Sequence, residues 1–346
     1  MTMQLLRKIH RWCGVVLAAI LVVIALSGTV AAFRGDFVRI ALPAARGPVP
    51  DPASFGPALD AFVAANPGAL VSARFAPYDL AVHGVSLKGG EQAWIDAQGK
   101  VVDRWKGTRG IGDRALDIHH TLLIGKTGTN ITGIAGLAGI AMIISGLIIY
   151  WPMRRGFSWR VWPASLKRPV LLASHRNLAL LLALPLFLQF SSGSAWAFKR
   201  IVGNLPGIAL PKAPTVAPST GEPSWTATLA AAQAAMPGAK IRAVAMPRAA
   251  DKPITINVQA AADINPEGAT RINVADGKVV AVVNPADHGA GARMFNSSMG
   301  VHTLGYIGGR SGEVLLALLG VLLAAMASYG VLGWWRLKSG RPANKA

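Results

Sequence analysis

Four stretches without a single charged residue constrain this chain more than anything else in it: Trp12–Phe33, Ile131–Met153, Asn177–Phe198 and Val314–Trp335. Each is long enough to cross a hydrocarbon layer about 30 Å thick, which takes roughly 20 helical residues. The first could be a cleaved leader, because it has a basic start and small residues near Ala31. Its apolar run, however, is longer than the roughly 7–15 residues of a leader's apolar core, and its pattern recurs later in the chain. Only 15% of the 346 residues are charged, against roughly 25% in an ordinary soluble domain. The chain is therefore read as a multi-pass membrane protein. Its one cysteine, Cys13, excludes disulfides, thiolate-held iron–sulfur clusters and the C-x-x-C-H haem attachment.

The charges set an orientation. Lys and Arg number 35 and Asp and Glu 16, a formal net charge of +19. All the acidic residues fall in two long segments, 34–130 and 199–313. The N-terminus (Arg7, Lys8, Arg11), the connection from Arg154 to Arg176, and the tail (Arg336, Lys338, Arg341, Lys345) are basic and carry no acid. The positive-inside rule places those three in the cytoplasm and the two long segments outside. Topology thus accounts for the excess charge, and no nucleic-acid partner is expected; the partner of the apolar surface is the lipid bilayer.

The chain also repeats. His10-Arg11, Ser27-Gly28 and Phe33-Arg34 recur in the second half, at one constant spacing, as His175-Arg176, Ser192-Gly193 and Phe198-Lys199. His120-Thr121-Leu122 precedes a span ending at Trp151, and His302-Thr303-Leu304 precedes one ending at Trp334-Trp335. In both outer segments a short helix closes on Pro-Gly (Pro67-Gly68, Pro237-Gly238), and alternating strands follow. The expected fold is a four-helix transmembrane bundle of two parallel repeats, carrying two small outer α+β domains. The expected segments are helix 1 over 1–33, an outer domain over 34–118, and a histidine segment with helix 2 over 119–153. A basic loop follows over 154–173, then helix 3 over 174–198, a second outer domain over 199–300, a histidine segment with helix 4 over 301–336, and a tail over 337–346.

Repeat and topology sort four histidines into two pairs, His10 with His175 at the inner face and His120 with His302 at the outer face. Two imidazoles facing one another across a bundle axis suit the axial positions of a haem iron. A lone histidine at a membrane boundary is more commonly a hydrogen-bonding residue. Four at repeat-related positions favour ligation, since ionisable groups in membranes are costly. Zinc or copper would need ligands beyond two nitrogens per layer. His119 adjoins His120 but aligns with Val301, and so ranks behind it. Arg11 and Arg176 are placed to pair with haem propionates, and Lys126 and Arg310 are weaker candidates. Gly28 and Gly193 make room either for a flat macrocycle or for close helix packing.

These motifs together resemble the PepSY-associated transmembrane family over nearly the whole chain. The resemblance implies two periplasmic PepSY-like domains, two non-covalent b-type haems ligated by His10, His175, His120 and His302, and a place in the bacterial inner membrane with both termini cytoplasmic. It also implies an oxidoreductase, passing electrons from a cytoplasmic or quinol donor to the iron of a periplasmic ferric siderophore and releasing Fe(II) for uptake. Three other readings stay open: a PepSY-type binding or regulatory protein on a structural bundle, a general transmembrane electron conduit, and a transporter. No acidic residue lies in any span to couple ions for transport.

Overall fold

The computed structural model describes residues 2–218 and 221–339. The helices are α1 (Met3–Ala32), α2 (Arg34–Ala41), α3 (Phe55–Ala65), α4 (Gly110–Thr121), α5 (Gly125–Tyr150), α6 (Arg168–Ala197), α7 (Lys199–Val202), α8 (Trp225–Ala235), α9 (Gly289–His302) and α10 (Gly309–Ser339). The strands are β1 (Leu70–Arg74), β2 (His83–Leu87), β3 (Glu91–Ile95), β4 (Val101–Lys106), β5 (Lys240–Ala245), β6 (Ile254–Gln259), β7 (Thr270–Ala275) and β8 (Lys278–Val283). They form two compact units, one of Met1–Ala32, Ala115–Lys199 and His302–Ala346, the other of Phe33–Arg114 and Arg200–Val301. From residue 340 onward, the basic tail lies outside the described residues.

In the first unit α1, α5, α6 and α10 are, among the described residues, the helices long and apolar enough to cross a membrane. They close into a ring: α1 packs on α5 and α10, and α6 packs on the same two. Leu17, Leu21, Ala25, Leu178, Leu182, Leu186 and Leu323 fill the interior. Many of the remaining apolar side chains point outward, including Val16 and Leu184, as a lipid solvent permits. Two hydroxyls tie helices together. Thr29 Oγ1 donates to the Ala317 carbonyl at 3.2 Å and Ser194 Oγ to the Gly133 carbonyl at 3.0 Å. Thr29 and Ser194 have the same spacing in the sequence as His10 and His175. The connection after α5 folds back onto α6, where Asn177 Nδ2 donates to Ser158 Oγ and to the Arg160 carbonyl, both at 3.0 Å.

The second unit departs from the expectation of two separate small domains. Its strands form one antiparallel sheet in the order β4-β3-β2-β1-β5-β6-β7-β8. The join is β1 with β5, where Ala73 faces Val244. Each four-strand set would otherwise expose an edge of unpaired N–H and C=O groups, and pairing the two edges satisfies both. Helices α3 and α8 pack side by side over one core, with Leu59, Phe62, Trp225, Ile256 and Ile272 among its most buried members. The helices approach so closely that a Cβ on Gly56 would stand 2.6 Å from Thr226 Cα. Asp60 of α3 caps the start of α8, accepting from the Trp225 N–H at 2.6 Å, the Thr226 N–H at 3.0 Å and the Thr226 hydroxyl at 2.6 Å. On the other face, Leu42, Ala45, Leu80, Val82 and Trp94 form a smaller core. His83 is buried beside Phe55 and Phe75, with Nδ1 accepting from the Ala76 N–H at 3.1 Å. Burial pushes its pKa down to about 4. It is a neutral core histidine.

Candidate functional site

Four histidines of the first unit are held in one manner. His175 Nδ1 lies 2.7 Å from the Met326 carbonyl, and His119 Nδ1 lies 2.8 Å from the Ile24 carbonyl. A carbonyl only accepts, so in both rings Nδ1 carries the proton. His302 Nδ1 lies 3.3 Å from the Gln189 carbonyl and 3.2 Å from Ser192 Oγ. His10 Nδ1 meets Ser145 Oγ at 2.8 Å, and that hydroxyl donates its own proton to the Met142 carbonyl. Serine therefore accepts from His10. In all four rings the protonated Nδ1 is anchored to another helix, and the Nε2 lone pair is left for an electrophile or metal. This is how metal-ligating histidines are oriented by their outer partners.

Glycine makes each anchorage possible. A Cβ on Gly28 would stand 2.8 Å from the His119 ring, and one on Gly193 would stand 2.9 Å from the His302 ring. At Gly146 and Gly330 it would meet His10 and His175 at 3.3 and 3.2 Å. The Ser-Gly pairs thus seat imidazoles rather than leave an open slot. The carbonyl partners Ile24 and Gln189 are repeat equivalents, related by the same spacing as Gly28 and Gly193. Met142 and Met326 are likewise related by the same spacing as Gly146 and Gly330.

At the outer pair the geometry differs from the sequence alignment. The ring that approaches His302 is that of His119, with centroids 6.0 Å apart, and His119 carries the anchoring contacts equivalent to those of His302. His120 is exposed, its ring 5.6 Å from that of His119, while its carbonyl accepts from Thr132 Oγ1 at 3.1 Å. The connection before the next span is shorter in the first half, from His120 to Gly125, than in the second, from His302 to Gly309. Aligning the His-Thr-Leu triplets therefore did not give the register in space.

His10 and His175 border a cavity of about 530 Å³ inside the bundle. Its wall includes His10 and His175, apolar side chains such as Leu186 and Phe190, and the cations Arg7, Arg11, Arg168 and Arg176. That volume lies within the roughly 300–1,000 Å³ of ligand and cofactor sites. Arg176 donates to the Gly156 carbonyl at 2.8 Å, but its Nε is buried without a hydrogen-bond partner. Among the described residues no three or more of His, Cys, Asp and Glu converge on a metal position.

Residues 7–336 match the family of the PepSY-associated TM region. The chain belongs to that family. No curated protein matches it. In this PepSY-associated transmembrane protein, Arg11 and Arg176 both reach the inner cavity wall, as Arg7 and Arg168 also do. Arg310 instead pairs with Glu313 at 3.2 Å in the first turn of α10, and Lys126 is exposed. Cys13 lies on the exposed side of α1 rather than in the core. Sequence reasoning missed Ser145, Gly146 and Gly330. The available signal was that each of these glycines stands one helical turn before an aromatic, Tyr150 or Trp334.

Proposed function

We propose that the bundle holds two b-type haems, the inner one on His10 and His175 and the outer one on His119 and His302. The protein would then be an oxidoreductase of the bacterial inner membrane with both termini cytoplasmic. The observation that carries this reading is the common anchorage of the four rings, each protonated at Nδ1 and seated on a glycine, with Nε2 left to ligate. Each half of the chain would contribute one ligand to each pair. Bound there, the haems supply one-electron chemistry across the apolar layer, from a cytoplasmic or quinol donor to ferric iron in a periplasmic chelate of the siderophore class.

The chain's own part is to fix ring tautomer and direction, to exclude water with Leu and Phe side chains, and to offset propionate charge with Arg11 and Arg176. Ferric iron in a hard oxygen chelate gains one electron and leaves as Fe(II), which such chelates hold far more weakly. The outer α+β segments, as PepSY-like domains, would meet the chelate.

A pyridine haemochrome assay of protein expressed with ample haem should return two haems per chain, with low-spin spectra before and after dithionite. The reduced protein should be reoxidised by a ferric hydroxamate, with Fe(II) trapped by ferrozine. Absence of haem would overturn the reading entirely. Haems oxidised by quinone or oxygen but by no ferric chelate would leave a general transmembrane electron conduit.

A further inference from the structure

Apart from the histidine cavity, the bundle has an open pocket of about 420 Å³ lined by Leu166, Lys167, Arg168 and Arg336. Its place along the helices is set by the sequence: Arg168 is the first residue of α6, and Arg336 lies in the last turn of α10, just after the uncharged run Val314–Trp335. Both therefore stand where the hydrocarbon layer gives way to headgroups. Three of the four lining residues are cations, and no acidic residue occurs anywhere from 154 to 176 or after Glu313. Apolar surface adjoins the charge, since Leu166 is 58% exposed and Trp335, beside Arg336, is 60% exposed. Trp159 and Trp162, in the connection leading to the pocket, are exposed as well. Tryptophans at this level mark a membrane interface.

We propose that this pocket binds the phosphodiester of an anionic membrane phospholipid. The guanidinium and ammonium groups of Arg168, Arg336 and Lys167 donate to the phosphate oxygens in charge-assisted hydrogen bonds. Leu166, in the pocket lining, gives the glycerol and upper acyl chain an apolar contact, which an inorganic anion would not use. Basic pockets between helices on the cytoplasmic side are suited to such headgroups. The inference does not depend on haem.

The test uses the full chain in neutral detergent, read by native mass spectrometry and thermal unfolding with three probes: phosphatidylglycerol, phosphatidylcholine and inorganic phosphate. Phosphatidylglycerol should be retained one per chain and raise the unfolding temperature, and the other two should do neither. The double variant K167Q/R336Q should weaken retention about tenfold or more, and K167R/R336K should keep it. Equal stabilisation by inorganic phosphate would replace the lipid with a free anion. Equal stabilisation by phosphatidylcholine would reduce the effect to apolar coating. Unchanged retention in K167Q/R336Q would place the lipid elsewhere. Any of these three results overturns the proposal.

Discussion

His119 and His302 hold their ring centroids 6.0 Å apart, and each ring rests on a glycine of a different helix, Gly28 for the one and Gly193 for the other. The neighbouring His120, though chemically identical to His119, is exposed and lacks that seat. Single substitutions separate the two. His119→Ala and His302→Ala should each remove one of two haems, halving the Soret absorbance. His10→Ala and His175→Ala should remove the other. His120→Ala should keep both. Loss of haem in His120→Ala, with retention in His119→Ala, would return the ligand to His120.

The glycine seats have a measurable cost of substitution. Gly28→Ala and Gly193→Ala place a methyl within 2.8 and 2.9 Å of an imidazole that a backbone carbonyl already holds. The rings must shift, at about 1–3 kcal/mol of overpacking. Each variant should lose or spectrally alter the outer haem while sparing the inner one. Gly221→Ala, where a Cβ meets nothing within 4 Å, serves as the control and should leave both spectra unchanged.

In the second compact unit, Asp60 accepts three hydrogen bonds at the start of α8. Asp60→Ala would leave the Trp225 and Thr226 N–H groups without that acceptor, at a cost of about 2 kcal/mol. Hydrogen exchange should show faster opening of Trp225–Ala235 in this variant. The crossing helices should keep their protection, because they lie in the other compact unit.

His83 gives the same unit a pH-dependent stability. Its folded pKa is depressed to about 4 by burial, against about 6.5 in an unfolded chain. Above pH 6.5 neither state binds the proton, and the native state keeps its full stability. Between pH 6.5 and 4 only the unfolded state takes it up, so about 3 kcal/mol is lost progressively across that window. His83→Asn, which offers Oδ1 to the Ala76 N–H, should flatten the dependence in a denaturation series from pH 7 to pH 4. An unchanged slope would assign the titration to other groups.

Much of the architecture could be read along the chain because its causes are local. A run without charge, such as Asn177–Phe198, declares a crossing helix wherever it folds, since no buried lysine or carboxylate interrupts it. The Pro-Gly closures at Pro67-Gly68 and Pro237-Gly238 end α3 and α8 for equally local reasons: Gly68 and Gly238 take positive φ of 64° and 79° there. That His10 and His175 line one common interior could be expected as well, because the same spacing separates them as separates Gly28 from Gly193.

The rest depended on contacts between distant segments. Whether His119 or His120 faces His302 is decided by how α4 meets α1, through the Ile24 carbonyl and the space above Gly28. The intervening turns differ in length, so no alignment of the two halves carries that information. Likewise, the alternating patterns of β1 and β5 carry no sign of a partner, and only their pairing at Ala73 and Val244 makes one sheet of the two sets of strands. The sequence by itself determined which segments enter the membrane and which residue types could ligate, because hydropathy and side-chain chemistry belong to each residue. Tertiary structure decided which imidazole is aimed and which edge is closed, because both follow from the packing of segments far apart in the chain.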